Sequence, residues 1–386
     1  MAAVIENQEQ WYTTISNNET FTLPIRYQHA HVTGEGAFSF VLQAIDSKTG
    51  KYVAIKKVRE PFRDAMHAKR TYRELKLLLD FNYPDTQVVQ LYNVFTPERD
   101  VNNFQTLYFV LNYIDYDLHE AIQCTTFTEE HIKLVIYQLL RGLKLIHSAG
   151  IVHYGLTPQN VRIDKCGNVS VSVTVGKITT DFVANFPSND NSACNIPSRS
   201  WDAPEILANP AQCSSKVDVW SVGAIMAELI LHQPLFRGED HMDYLKQIID
   251  VLGTPDPTKI DEICIPGAAS YIKQIPVHPP QDLNKLFGFK YAAGNPQPIS
   301  GVSPMGIDLL KCLLTFDHRD RPTAAQSLAH PFLADYHDPM DEPTLNSIVD
   351  QHQDAEYSVE EWKKIIWQLI QDFVIPSWAN ESIHDD

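Results

Sequence analysis

Residues His153-Tyr154-Gly155-Leu156-Thr157-Pro158-Gln159-Asn160 decide how this chain is read. A histidine and an asparagine frame the stretch, and no carboxylate stands between them. Upstream, Glu129 to His147 carries Ile132, Val135, Ile136, Leu139, Leu140, Leu143 and Ile146 at spacings of three and four, the signature of a helix with one buried face. That stripe is core packing, and the helix delivers the chain through Ile151-Val152 into the loop.

Toward the N-terminus, Thr33 to Val41 and Lys51 to Val58 read as strands bounded by turn residues. Alternation places Ala54 and Lys56 on one face. A helical run, Ala65 to Leu79, follows and contains Glu74, and Leu107 to Tyr113 reads as a buried strand leading into a linker. The first twenty or so residues are polar and expected to be loosely attached. Downstream, Val219 to Leu231 reads as a buried helix, and Pro/Gly-punctuated loops are expected over most of Gly253 to Pro304. Near the end, Ser358-Val359-Glu360-Glu361 has the capping-box pattern. The stripe Trp362, Ile365, Ile366, Leu369, Ile370 and Phe373 then predicts a helix docked on the body.

A chain of 386 residues with 44% hydrophobic residues can bury a sizeable core in two lobes. Its net charge of −17 repels a phosphate backbone, which argues against nucleic-acid partners and favours basic peptides. The start, MAAVIENQEQW, lacks a basic segment followed by an apolar run, and the apolar stretch around Val219 is short and carries Glu228, so neither secretion nor membrane insertion is expected. The six cysteines show no Cys-x-x-Cys spacing, which fits reduced thiols in the cytoplasm or nucleus.

Taken with its neighbours, the opening stretch resembles the catalytic loop of protein kinases, His-Arg-Asp-Leu-Lys-Pro-x-Asn. The order of a Gly-rich hairpin, an Ala-x-Lys strand and a helix with Glu resembles the kinase small lobe. Arg70-Thr71-Tyr72-Arg73-Glu74-Leu75, His147-Ser148-Ala149-Gly150-Ile151-Val152-His153, Asp218-Val219-Trp220-Ser221-Val222-Gly223 and Tyr336-His337-Asp338-Pro339 are similar to motifs of the mitogen-activated protein kinases. The likeness is strongest to the stress-activated branch with a Thr-Gly-Tyr switch. It implies an α+β bilobal protein kinase fold, with an N-terminal extension over 1–24, a β-rich small lobe over 25–112, a mostly helical large lobe over 113–335 that includes the MAP kinase insert, and a C-terminal extension over 336–386. It also implies a salt bridge between Glu205 of Ala203-Pro204-Glu205 and Arg321.

The same likeness marks departures. Gly155 stands at the position of the catalytic Asp, Thr157 at that of the loop Lys and Tyr154 at that of the Arg, and Asn160 remains as a remnant of the metal site. The metal-binding Asp of Asp-Phe-Gly falls on Val173 or Thr174, depending on the anchor, with Asp181-Phe182-Val183 a distant substitute; neither Val nor Thr ligates magnesium as a carboxylate does. The switch residues fall on Ala193 and Asn195, and Asp202 replaces a substrate-selecting Arg. For the nucleotide, the resemblance implies Gly34, Gly36, Val41, Ala54, Lys56 and Glu74, but Arg162 stands where the purine rests on a small or aliphatic residue. ATP binding is thereby left open, and magnesium dependence is disfavoured.

Asp338, Asp341 and Glu342 resemble the acidic docking site that binds basic motifs of MAP kinase kinases, phosphatases and substrates. The resemblance with its departures implies a catalytically disarmed protein of stress-activated signalling that acts as docking partner, scaffold or decoy. The competing expectation is a Ser/Thr kinase with residual ATP-dependent phosphotransfer.

Overall fold

Alternating apolar residues in the N-terminal third pair into antiparallel strands that each bury one face. The computed structural model describes residues 10–36, 38–172, 200–294 and 296–381. They form two units: one gathers the described residues up to Asp85, Val89–Ile114 and those from Gln351; the other contains Thr86–Val88 and the described residues of Asp115–Asp350.

In the first unit, β1 (Trp11–Ser16) and β2 (Glu19–Pro24) make a hairpin. From Trp11 onward this corrects the loose attachment expected of the first twenty or so residues: Phe21 and Leu23 are fully buried in the core of this unit. The polar residues alternating with them face outward, which is why composition alone looked like a free tail. A five-stranded sheet follows, from β3 (Tyr27–Glu35), β4 (Ser39–Asp46), β5 (Tyr52–Val58), β6 (Leu91–Phe95) and β7 (Tyr108–Asn112), in the order β3-β4-β5-β7-β6. The run Thr33 to Val41 is not one strand: it crosses the turn between β3 and β4. Helix α1 (Ala65–Asp80) is capped by Asp64, whose side chain accepts from the His67 N–H.

The C-terminal helix Val359–Asp372 starts at the expected capping box of Ser358 and Glu361. It packs in the first unit, with Trp362 4.9 Å from the Tyr72 ring and Trp367 edge-on to Phe104 at 5.4 Å. The expected extension over 336–386 is thus divided, because residues before Gln351 belong to the second unit.

The second unit is mainly helical. Helices α2 (Leu118–Cys124) and α3 (Glu129–Ser148) lead to the loop, and β8 (Tyr116–Asp117), β9 (Val161–Ile163) and β10 (Val169–Val171) form a small antiparallel sheet. The whole apolar stripe of α3 is buried. Helix Lys216–Leu231 is buried on nearly every side, Glu228 included. Over Gly253 to Pro304, the expected loops are interrupted by the short helices Pro257–Ile263, Pro266–Gln274 and Leu283–Phe287. Pro257 and Pro266 sit in first turns, where a missing N–H costs nothing, so those prolines start helices where loops were read.

The implied Glu205–Arg321 pair is present and bidentate, with Nη1 to Oε1 at 2.7 Å and Nη2 to Oε2 at 3.0 Å. Arg321 also donates to the carbonyls of Thr315 and Lys216 and lies over the Trp220 ring at 5.1 Å. A buried charge needs this degree of satisfaction to be tolerated.

Candidate functional site

The loop His153 to Asn160 is held by a single buried carboxylate. Asp218 Oδ2 accepts from the His153 N–H at 2.8 Å, and Oδ1 accepts from the Tyr154 N–H at 2.9 Å. His147 Nε2 lies 2.8 Å from Oδ2 of the same group. Tyr154 occupies the left-handed region at φ 54°, a conformation that two accepting oxygens help to fix. His153 in turn reaches the Ser172 carbonyl through Nε2 at 2.8 Å, and its Nδ1 accepts from the Gly155 N–H at 3.2 Å.

Asn160 closes the loop, donating from Nδ2 to the Gly155 carbonyl at 2.6 Å. The NH2 end of the amide is thereby committed, and Oδ1 is its metal-binding end. Position 155 is buried and offers only backbone, so nothing there can take a hydroxyl proton. Thr157 is buried and makes no capping bond to the 3₁₀ turn Pro158–Asn160. The Tyr154 ring fills the position of a guanidinium with an apolar body. Burial pushes its phenol well above its usual range, with Cys213, Asp218 and Glu205 adding to the effect. Burial, followed by the Glu205 charge, pushes the Cys213 thiol up to about 12.

Arg162 lies on β9 opposite Asp117 on β8, and its guanidinium reaches sideways to that carboxylate at 4.0 Å. Asp117 caps α2 in a capping box with Glu120. Burial raises the Asp117 pKa, and Arg162 is among the charges that oppose the shift.

In the first unit, Ala54 and Lys56 lie on the side of β5 away from the buried Val53 and Ile55, as alternation predicts. Lys56 Nζ pairs with Glu74 Oε1 on α1, and the two side chains are 14% and 12% exposed. Val41 is the register partner of both Lys56 and Gly34. Gly34 and Gly36 have no left-handed φ, and a Cβ at either would meet its nearest atom at an ordinary 3.7 Å. The backbone therefore does not require glycine at these two positions. What glycine supplies is room above the hairpin.

The acidic segment is split. Asp338 and Asp341 are exposed, whereas Glu342 is buried, its carboxylate accepting from Lys144 Nζ at 2.9 Å and lying 2.6 Å from His337 Nδ1. A third solvent-facing acid, expected at Glu342, is therefore absent from this geometry. Two partners on that side chain outweigh its hydration.

Val173, Thr174, Asp181, Phe182, Val183, Ala193 and Asn195 lie outside the described residues. Among the described residues there is no group of three or more His, Cys, Asp or Glu side chains that could hold a metal, and no helix is long and apolar enough to cross a membrane. Magnesium is usually held through carboxylates; in the described loop Asn160 offers an amide oxygen, and the positions of the metal-binding Asp, Val173 or Thr174, lie outside the described residues. The Lys56–Glu74 pair does fit a phosphate-facing role.

Sequence reasoning missed Asp218 as the anchor of the loop. An acid inside an otherwise apolar helix was the available signal, since buried charges are paired. It also missed the clamp on the segment before Pro204, where Ser221 Oγ donates to the Trp201 carbonyl and Tyr244 OH to the Asp202 carbonyl, both at 2.8 Å.

The protein kinase domain family model matches residues 27–333. The chain is 35% identical over 373 residues to Mitogen-activated protein kinase 14 of Xenopus laevis, covering 97% of each chain. It is also 35% identical over 367 residues to Mitogen-activated protein kinase p38b of Drosophila melanogaster, covering 94% of each. A kinase-type loop frame, a β-rich unit carrying the Lys56–Glu74 pair and this near full-length likeness converge: the chain belongs to the mitogen-activated protein kinase family, in its stress-activated branch.

Proposed function

We propose that this protein serves stress-activated signalling in the cytoplasm and nucleus by binding, as a docking partner, scaffold or decoy, and that its own phosphotransfer is lost or severely impaired. One observation carries the reading: the N–H groups of residues 153 to 155 are held by Asp218 and His153, yet position 155 is glycine. The absence of a general base costs on the order of 10²–10⁴ in rate. The metal position adds a further, non-additive cost.

A second reading, residual ATP-dependent Ser/Thr phosphotransfer, is favoured by the Lys56–Glu74 pair, which can still hold phosphates. The relatives are named as kinases, and that activity comes to this chain only through this second reading.

The binding role is supported by the exposed carboxylates of Asp338 and Asp341 on a chain of net charge −17. Such a field steers Lys/Arg-rich peptides, including basic motifs of upstream kinases, phosphatases or substrates. Fluorescence anisotropy with a labelled basic peptide tests it. Binding should weaken sharply in the Asp338→Lys/Asp341→Lys double variant, and unchanged affinity would refute the role. A thermal shift with ATP tests the nucleotide separately: the expected response is the same with and without magnesium.

A further inference from the structure

The face of the five-stranded sheet opposite Lys56 carries a cavity of about 560 Å³ that shares no residue with the nucleotide-facing set or the acidic segment. In β4 and β5, Val41 is the register partner of Lys56, and Phe40 is that of Lys57. Alternation therefore sends Phe40 and Lys57 to the other face, along with Phe38 and Arg59, each two residues further along. The pairing extends to these two, since the Arg59 N–H donates to the Phe38 carbonyl at 2.9 Å. The β1–β2 hairpin covers part of this face, with Phe21 edge-on to Phe40 at 5.8 Å. Glu19, beside the hairpin turn, lines the cavity, which lies wholly within the first unit.

The lining joins rings to cations: Phe38 and Phe40 on one hand, Arg59, Arg63 and His67 on the other. The Arg59 guanidinium lies over the Phe40 ring, 3.9 Å from its centre. That contact uses the face of the guanidinium and leaves its edge N–H groups for an anion. In the free protein Arg59 donates to Glu35, and Arg63 lies 3.6 Å from Asp64 and 3.8 Å from Glu60. Glu35 and Glu60 are more than half exposed, and surface pairs of this kind contribute little, so a ligand carboxylate can take their places. Lys57 is different: Glu19 at 2.5 Å and the Thr20 carbonyl at 2.8 Å hold it, and it is left out of the binding set.

Two further features point to a ligand. His67 is buried, with Nδ1 2.9 Å from both Asp64 oxygens, and its Nε2 has no partner among the described residues. Phe38 is 60% exposed, an apolar ring left to water beside cations. Arg63 is 56% exposed as well, so the site is open on one side and suits a side chain delivered on a peptide.

We propose that this cavity is a second peptide site, which takes an aromatic side chain flanked by carboxylates: the ring packs against Phe38, and the carboxylates meet Arg59 and Arg63. The net charge of −17 opposes an acidic peptide at a distance, so binding is carried by these contacts and not by steering. The site's preference is opposite to that of Asp338 and Asp341, and a chain with both can hold two partners of different chemistry. The assignment stands on the cavity and does not depend on the docking reading.

The test is fluorescence anisotropy of the full chain with the labelled peptide Ala-Glu-Asp-Phe-Glu-Ala and two controls, one with Ala for Phe, the other with Gln for Glu and Asn for Asp. The control without the ring should bind roughly tenfold more weakly, and the control without the acids roughly fivefold. Phe38→Ser and Arg63→Gln, at exposed positions, should each weaken the parent peptide roughly fivefold at unchanged melting temperature, and Arg59→Gln should weaken it further. The Asp338→Lys/Asp341→Lys variant should bind this peptide no more weakly than the parent protein does, which separates the result from the docking reading. The proposal is overturned if the parent protein does not bind the peptide, if the controls bind equally well, or if Phe38→Ser and Arg59→Gln leave the affinity unchanged.

Discussion

Around Lys56 in the first unit, the side chains suited to a phosphate are in place and paired, Lys56 with Glu74 across β5 and α1. Around Gly155 in the second, the loop backbone is held by Asp218 and Asn160, but position 155 itself carries no side chain. The difference shows which residues a fold needs and which it does not. Asp218 satisfies two buried backbone N–H groups, so replacing it would leave donors unpaired in the interior. An Asp at 155 would satisfy no such debt of the backbone, and glycine there is not in the left-handed region. A side chain at 155 can therefore be absent without loss of the hydrogen bonds that hold the loop.

The contrast between frame and chemistry can be broken at several points. The largest effect is expected for Arg321→Met, which leaves the Glu205 carboxylate buried without its bidentate partner. Denaturant unfolding should show a loss of about 3–5 kcal/mol. Next comes Asp218→Asn, in which one accepting oxygen becomes an NH2 that cannot receive the loop N–H it faces. A loss of about 1–3 kcal/mol is expected, with hydrogen exchange at His153 and Tyr154 accelerated.

A smaller, pH-dependent effect is expected at Glu228. This fully buried carboxyl accepts from Trp201 Nε1 at 2.8 Å on one oxygen and has no partner among the described residues on the other. Burial raises its pKa, against the opposing influence of Trp201. Because the folded-state value lies above the unfolded one, its stabilising contribution is complete below the ordinary carboxylate range and is lost as pH rises through the raised value. Glu228→Gln should therefore lessen the decline in melting temperature between mildly acidic and mildly alkaline buffer; an unaltered decline would contradict the assignment.

Much of this architecture could be read before any coordinates. The α3 stripe, the Ala54/Lys56 face, the capping box at Ser358 and the Glu205–Arg321 pair all rest on periodicity or motif order, which are local or one-dimensional signals. The β1–β2 hairpin is hard to read in the sequence because its core residues, Phe21 and Leu23 with Trp11 and Tyr12 packed against the same cluster, are interspersed with polar residues that dominate the composition. The helices beginning at Pro257 and Pro266 are hard to read in the sequence because proline, elsewhere a loop marker, opens a helix at these positions. Glu342 could not be read at all. In sequence it is one more acid in an acidic segment, and Lys144, 198 residues away along the chain, turns it inward together with His337. The side chain of Arg162 was legible as an anomaly, but its direction toward Asp117 depends on strand register, which the sequence does not encode locally.

The central claim is that the frame stands without the catalyst, and phosphotransfer measures it most directly. Purified full-length protein and its Lys56→Ala variant are incubated with radiolabelled ATP, magnesium and a generic MAP kinase substrate. Incorporation by the parent that is no greater than that by Lys56→Ala is the predicted result. Incorporation that is robust in the parent and abolished by Lys56→Ala would contradict the account.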